Sequence, residues 1–117
     1  MKVTLYHNPR CSKSRQTLEL LRLRGIEPEI IEYLKDPPDA AELRRLLKAL
    51  GIRADGLLRK GEAEYQELKL GDDRVTDEQR IDAMVRFPRL IERPIVVCGT
   101  QARLGRPPER VLEIIPA

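Results

Sequence analysis

Hydrophobic and polar positions alternate at the start of the chain and then change to helical spacing. The alternation of Lys2–Tyr6 is typical of a short strand. Ser12–Arg24 repeats its apolar positions with the period of a helix, and Gly25 follows as a C-cap signal. Ile26–Tyr33 predicts a second strand, in which Pro28 favours an edge position or the strand start. This unit indicates two parallel strands joined by a crossover helix.

The middle of the chain, residues 37–88, is mostly helical in its spacing. Asp39 precedes a stripe of leucines, and Thr76 precedes a second apolar stripe that Pro88 brings to an end. Each of the two cap residues is followed three positions later by Glu or Gln, the pattern of a capping box. Two helices are therefore predicted, with a short helix at Glu62–Leu68 between them.

The last part of the chain returns to strands. Ile95–Cys98 is a continuous apolar run, and Gln101–Leu104 follows a Gly-Thr turn as a partner strand. Pro107 and Pro108 mark the start of a final helix. We expect three of its side chains to face inward: Val111, Leu112 and Ile115. The order β-α-β, helical region, β-β-α predicts an α/β protein with a thioredoxin-like fold. Residues 1–117 are expected to be one domain with a helical insertion at about 37–88.

Charge and composition limit the possible partners. The 22 Lys and Arg against 19 Asp and Glu give a net charge of +3, and the two signs alternate along the helices. With three Tyr, one Phe and no Trp, few rings are present to stack on bases. We therefore expect no nucleic-acid partner and favour small anions as ligands.

No apolar run is long enough to span a bilayer and no signal peptide is recognisable, which predicts a cytoplasmic protein without a membrane partner. No apolar surface stripe is left over, so we expect a monomer.

The segment around Cys11 combines a thiol with an imidazole, hydroxyl groups and several basic side chains. It has the sequence His7-Asn8-Pro9-Arg10-Cys11-Ser12-Lys13-Ser14-Arg15. The cysteine follows a strand and opens a helix, where unpaired backbone N–H groups and the helix dipole favour a thiolate and bind an oxyanion. The alternative interpretation is a small buried hydrophobic residue. Two Cys and one His fall short of the four ligands of a structural zinc site, so no metal is expected.

Three further residues have two interpretations each. His7 either supports the thiolate or ends the strand with a polar side chain. Ser14 either donates its hydroxyl to the thiolate or stabilises the turn. Because Ser14 stands where a second cysteine would be needed, a dithiol cycle within this loop is excluded and another thiol must resolve an oxidised sulfur. Cys98 ends an apolar run and is interpreted as a core residue, with a resolving thiol as the alternative.

The loop resembles the active-site loop of the glutaredoxin-coupled arsenate reductases of the ArsC family. The similarity continues in order along nearly the whole chain, through Tyr33-Leu34, Pro37-Pro38, Leu57-Leu58-Arg59-Lys60, Glu92-Arg93-Pro94-Ile95-Val96-Val97 and Gly105-Arg106-Pro107-Pro108. The resemblance implies a thioredoxin-like fold with an added helical region. It also implies Cys11 as the nucleophile, with His7 and Ser14 at the catalytic site. It implies three arginines around the anion, namely Arg59, Arg93 and Arg106, and a cis bond before Pro94.

The resemblance implies reduction of arsenate, or of a similar oxyanion, to arsenite in arsenic detoxification. Glutathione would be the co-substrate and glutaredoxin the protein partner, with no tightly bound cofactor. Ser12-Lys13 replaces the Gly-Thr usual after the nucleophile, a pattern that resembles the YfgD-like subgroup. Two alternatives remain. One is a general glutathione-linked thiol oxidoreductase without anion selectivity. The other is a transcriptional regulator similar to Spx. Spx typically has Cys-x-x-Cys at these positions, whereas this chain has Ser14 in place of the second cysteine.

Overall fold

The structure, a computed structural model, describes residues 2–116 of the chain. These residues form two compact units. The first contains the described parts of Met1–Asp36 and Arg93–Ala117, and the second is Pro37–Glu92. The division of the chain into one domain with an insertion at about 37–88 stays a prediction.

The first unit is built on a mixed sheet. Its elements are β1 (Val3–Tyr6), α1 (Ser12–Leu23), β2 (Glu29–Ile31), β3 (Ile95–Cys98), β4 (Gln101–Leu104) and a C-terminal 3₁₀ helix (Pro108–Ile114). Within residues 2–116, four strands lie in the order β2-β1-β3-β4. β1 pairs in parallel with β2 and antiparallel with β3, and β3 pairs antiparallel with β4. The predicted thioredoxin-like order is confirmed, and β2 is the edge strand that Pro28 favours.

A hydrophobic core joins α1 and the C-terminal 3₁₀ helix to one face of the sheet. Alternate residues of a strand point to the same face, so β1 and β3 each contribute two side chains. The buried members are Val3, Leu5, Leu21, Val96, Cys98, Val111 and Ile114. Each large aliphatic side chain buried here stabilises the fold by about 1.5–3 kcal/mol. The core therefore holds α1 against β1 and fixes the turn that connects them.

The second unit is helical. It contains α2 (Ala40–Leu50), α3 (Ala63–Glu67) and α4 (Asp77–Arg86), with short 3₁₀ helices at Ala54–Leu57 and Pro88–Leu90. Both predicted N-caps are confirmed: Asp39 accepts the N–H of Glu42 at 2.8 Å, and Thr76 forms a capping box with Gln79. α2 ends at Gly51, whose φ of 70° is one that glycine adopts without steric cost. No helix within residues 2–116 is long and apolar enough to cross a bilayer.

Two elements differ from the sequence prediction. The predicted strand Ile26–Tyr33 is hydrogen-bonded only as β2, a shorter segment. The final helix is 3₁₀ rather than α, and it buries Val111 and Ile114. A 3₁₀ helix has three residues per turn, so its inward face repeats every third residue. Leu112, which we expected to face inward, is consequently only half-buried. Ile115, the C-cap residue, is half-buried and packs against the core as expected.

Candidate active site

The turn between β1 and α1 positions Cys11. It is the N-cap residue of α1, with φ −95° and ψ 125°. Its carbonyl accepts the N–H of Arg15 at 3.0 Å, and its own N–H donates to the carbonyl of Asn8 at 3.0 Å. The residue is 8% exposed. The thiol thus lies at the N-terminus of α1, where the N–H groups of the first turn have no partners within the helix.

Opposing effects set the pKa of the Cys11 thiol. Burial by itself raises that pKa, because it disfavours the charged form. The backbone N–H groups of Ser14 and Lys13, in the first turn of α1, lower it because they favour the charged thiolate. The positive charges of Arg93 and Arg106 also lower it. The lowering effects prevail, so the pKa lies below its ordinary value and the nucleophilic thiolate is more abundant near neutral pH.

Arg93 and Arg106 lie together beside the thiol. A terminal nitrogen of Arg106 is 3.7 Å from Sγ of Cys11, and Nε of Arg106 donates to the carbonyl of Arg93 at 2.7 Å. Both arginines are half-buried. The Arg93–Pro94 bond is cis, as the resemblance implied, and Pro94 is buried at the start of β3. The structure therefore brings Arg106 into contact with the sulfur and Arg93 near enough for its charge to lower the pKa of the thiol. Guanidinium groups in such positions can offer several charged donors to an oxyanion.

His7 and Ser14 form a buried hydrogen-bonded pair. Nδ1 of His7 lies 2.6 Å from Oγ of Ser14, and the N–H of Asn8 donates to the same oxygen at 3.0 Å. Burial lowers the pKa of His7, and the charge of Glu32 opposes this only in part, so the imidazole is mostly neutral at pH 7. These contacts favour the turn-stabilising interpretation of the Ser14 hydroxyl. The backbone N–H of Ser14 lowers the pKa of the Cys11 thiol.

Sequence reasoning missed the contribution of Asn8. Its carbonyl accepts the N–H of Cys11, its N–H donates to Ser14, and its Oδ1 accepts the N–H of Arg10 at 3.0 Å. Arg15 secures the same loop by donating to the carbonyl of Pro9 at 2.9 Å. The available signal was the Asn-Pro pair, because Asn commonly bonds to backbone groups two residues further on. These bonds hold the loop in one conformation around the thiol.

Arg59 lies in the second unit. Its N–H donates to the carbonyl of Leu90 at 2.7 Å, and its guanidinium is 3.5 Å from the carboxylate of Glu62. The side chain is half-buried. These contacts describe Arg59 within its own unit, and its contact with an anion stays a prediction.

Cys98 is a core residue of β3, 7% exposed. It lies opposite Val3, whereas Tyr6, which leads into the Cys11 loop, lies opposite Ile95 at the other end of β3. Neither of the two described cysteines forms a disulfide bond. Cys98 is therefore in the core, as the core interpretation predicted, and it lies at the end of β3 away from the Cys11 loop.

Comparisons with known proteins give one consistent result. Residues 6–114 match the ArsC family. The chain is 56% identical over 115 residues to the uncharacterized protein YfgD of Escherichia coli K12, covering 97% of each chain. It is 51% identical over 114 residues to an arsenate reductase of the same strain, covering 97% of this chain and 81% of the relative. The solved structure of an arsenate reductase from Vibrio cholerae is 52% identical, with a TM-score of 0.96 and 98% of both chains covered.

Proposed function

The chain belongs to the ArsC family, and we propose that it reduces arsenate to arsenite with Cys11 as the nucleophile. The observation that carries the proposal is the buried Cys11 thiol at the start of α1, with a lowered pKa and Arg106 3.7 Å from its sulfur. The names of the relatives, which include arsenate reductases 50% or more identical, support arsenate as the oxyanion.

In the proposed first step the Cys11 thiolate attacks arsenic(V). An S–As bond forms and one oxygen of arsenate leaves as water after taking up protons. Arg93 and Arg106 neutralise the spread negative charge of the oxyanion and its adduct, while N–H groups at the start of α1 donate to its oxygens. Arg59 is proposed as a third guanidinium of this anion site.

In the second step glutathione attacks the adduct. The S–As bond breaks, arsenic takes the electron pair and leaves as arsenite, and a mixed disulfide joins Cys11 to glutathione. Glutaredoxin then removes the glutathionyl group and returns the thiolate. We propose this external source of both electrons because Ser14 stands where a second loop cysteine would be and Cys98 lies in the core. The proposal needs no metal and no tightly bound cofactor, and it is consistent with a monomer acting in the cytoplasm, where thiols stay reduced.

The test is arsenate-dependent oxidation of NADPH in the presence of glutathione, glutaredoxin and glutathione reductase. We expect the wild type to be active and Cys11→Ser to be inactive while remaining folded. Cys98→Ala is the matched control, because it removes the other thiol and is expected to keep the activity. Retained activity in Cys11→Ser would refute the nucleophile, and a folded but inactive Cys98→Ala would refute the external second thiol.

A general glutathione-linked thiol oxidoreductase is the second candidate. It rests on the same Cys11 thiol and on Ser12-Lys13, which replaces the Gly-Thr usual after the nucleophile of the arsenate reductases. Protection of Cys11 from alkylation separates the two candidates. Arsenate or phosphate slows alkylation if the loop is an oxyanion site, and Arg93→Lys weakens that protection. A thiol alkylated at the same rate with and without these anions would favour the general oxidoreductase.

A further inference from the structure

Gly105 lies where the end of β4 meets both α1 and the start of β3. A Cβ built on Gly105 would lie 2.5 Å from Oγ1 of Thr17 and 2.7 Å from Cγ of Pro94. Carbon atoms of packed side chains ordinarily keep about 3.5–4 Å apart, so these two contacts leave no room for a methyl group at position 105. The absence of a side chain is thus a steric requirement at this position.

The neighbours of Gly105 have little room to move. Thr17 is fully buried on α1, and its hydroxyl donates to the carbonyl of Lys13 at 2.8 Å. Pro94 is buried, and its carbonyl accepts the N–H of Gly105 at 3.0 Å. A methyl group at position 105 would have to displace its own backbone by roughly half an ångström or more, because packed interiors transmit such strain instead of absorbing it.

The next residue in the chain is the arginine that contacts the thiol. Arg106 donates through Nε to the carbonyl of Arg93, and its terminal nitrogen is 3.7 Å from Sγ of Cys11. Cys11 caps the same helix that carries Thr17. The approach of Gly105 to Thr17 and Pro94 therefore sets how far the guanidinium of Arg106 reaches.

We propose that Gly105 is a positioning residue of the active site: its missing side chain lets the end of β4 lie against Thr17 and Pro94, and this places Arg106 at Cys11. The inference rests on the proposed function, in which the Cys11 thiolate is the reactive group. It gives Gly105 a role that is exerted entirely through Arg106.

The experiment measures the rate of Cys11 alkylation by iodoacetamide as a function of pH, with the modified peptide quantified by mass spectrometry. Gly105→Ala is expected to raise the midpoint of this profile by about half a pH unit, which is about a threefold slower reaction below the midpoint. Arg106→Gln is expected to raise it at least as much. Gly61→Ala is the control glycine, because a Cβ there meets nothing within 4 Å.

A double variant separates positioning from general damage. If Gly105 acts through Arg106, Gly105→Ala adds no further shift once Arg106→Gln is present. Additive shifts, or an unchanged midpoint in folded Gly105→Ala, would overturn the proposal. Should Gly105→Ala fail to fold, Gly105→Ala with Thr17→Ala removes the nearest contact and is compared with Thr17→Ala alone by the same criteria.

The outcome is distinguishable from failure of the proposed function. A wild-type midpoint at the ordinary thiol pKa of about 8.5 would contradict the activated thiol itself. A lowered wild-type midpoint that Gly105→Ala leaves unchanged would contradict only the positioning role.

Discussion

Replacing Ser14 by Ala tests the buried pair that holds the Cys11 loop. The change removes one hydroxyl oxygen, which is bonded to Nδ1 of His7 at 2.6 Å and to the N–H of Asn8 at 3.0 Å. Ser14 has no exposed surface and His7 is 7% exposed, so water cannot readily replace the lost oxygen. Each buried polar group left without a partner costs about 1–3 kcal/mol. Because Asn8 is half-buried and partly reachable by water, we expect a total loss of about 2–4 kcal/mol in the free energy of unfolding.

The assay is urea unfolding at pH 7 followed by circular dichroism. Ser12→Ala is the matched control, since Ser12 is exposed on the first turn of the same helix and its loss is expected to stay within about 0.5 kcal/mol. Both variants should keep the wild-type denaturant slope, so that the midpoint reports stability alone. If Ser14→Ala is no less stable than Ser12→Ala, the buried pair does not stabilise the loop and the reasoning is wrong.

The same variant distinguishes the two roles of Ser14. Its backbone N–H, which lowers the pKa of Cys11, is retained in Ser14→Ala. We therefore expect the alkylation midpoint of Cys11 to shift less than in Arg106→Gln. A shift as large as that of Arg106→Gln would mean that the hydroxyl itself acts on the thiolate.

Two further predictions concern pH and helix capping. The folded-state pKa of Cys11 is lowered below its unfolded value, so the thiol stabilises the fold fully above the unfolded pKa, and this stability is lost as pH falls through the folded pKa. The difference in unfolding free energy between the wild type and Cys11→Ser, measured in urea at several pH values, should rise with pH in that window, by about 1.4 kcal/mol for each unit of lowering. A difference independent of pH would contradict the lowered pKa. Thr76→Ala removes the capping box of α4 and should lower the free energy of unfolding in urea by about 1 kcal/mol. Thr100→Ala, in an exposed turn, is the control and should lower it little. Equal losses in the two variants would show that the capping box does not stabilise α4.

The sequence predicted the elements whose signals are local. β3 and β4 begin and end as predicted, because an apolar run, a Gly-Thr turn and a second run leave little choice of register. The N-caps at Asp39 and Thr76 were equally predictable from the sequence, since each accepts an N–H group of the first turn of its own helix. The 3₁₀ form of the C-terminal helix was not predicted. Its seven residues support either helical period, and packing of Val111 and Ile114 decides between them.

The site was predictable only in part for a different reason. Cys11 was identified because its strand-to-helix turn is a local feature with a known electrostatic consequence. The reach of Arg106 to its sulfur joins residues far apart in the chain, and only the resemblance to a family indicated it. Gly105 was named only as part of a motif of the resemblance and Thr17 was not singled out, because their close approach joins segments that are far apart in the chain. The local sequence thus indicated Cys11, whereas its neighbours in the folded protein were indicated only by the resemblance or not at all.

The positions of the two thiols bear on where the electrons come from. Cys98 is fixed opposite Val3, at the end of β3 away from the Cys11 loop, by the same core that holds α1. Moving it to Cys11 would require breaking β3 and exposing the core, a cost comparable to the whole stability of a small domain. By contrast, Pro9, Arg10 and Ser12 around Cys11 are all exposed. A second thiol therefore reaches Cys11 far more readily from solvent than from within the described chain. In the proposed reaction we therefore expect the electron donor to be selected at the exposed loop around Cys11 and not by a partner cysteine of this chain.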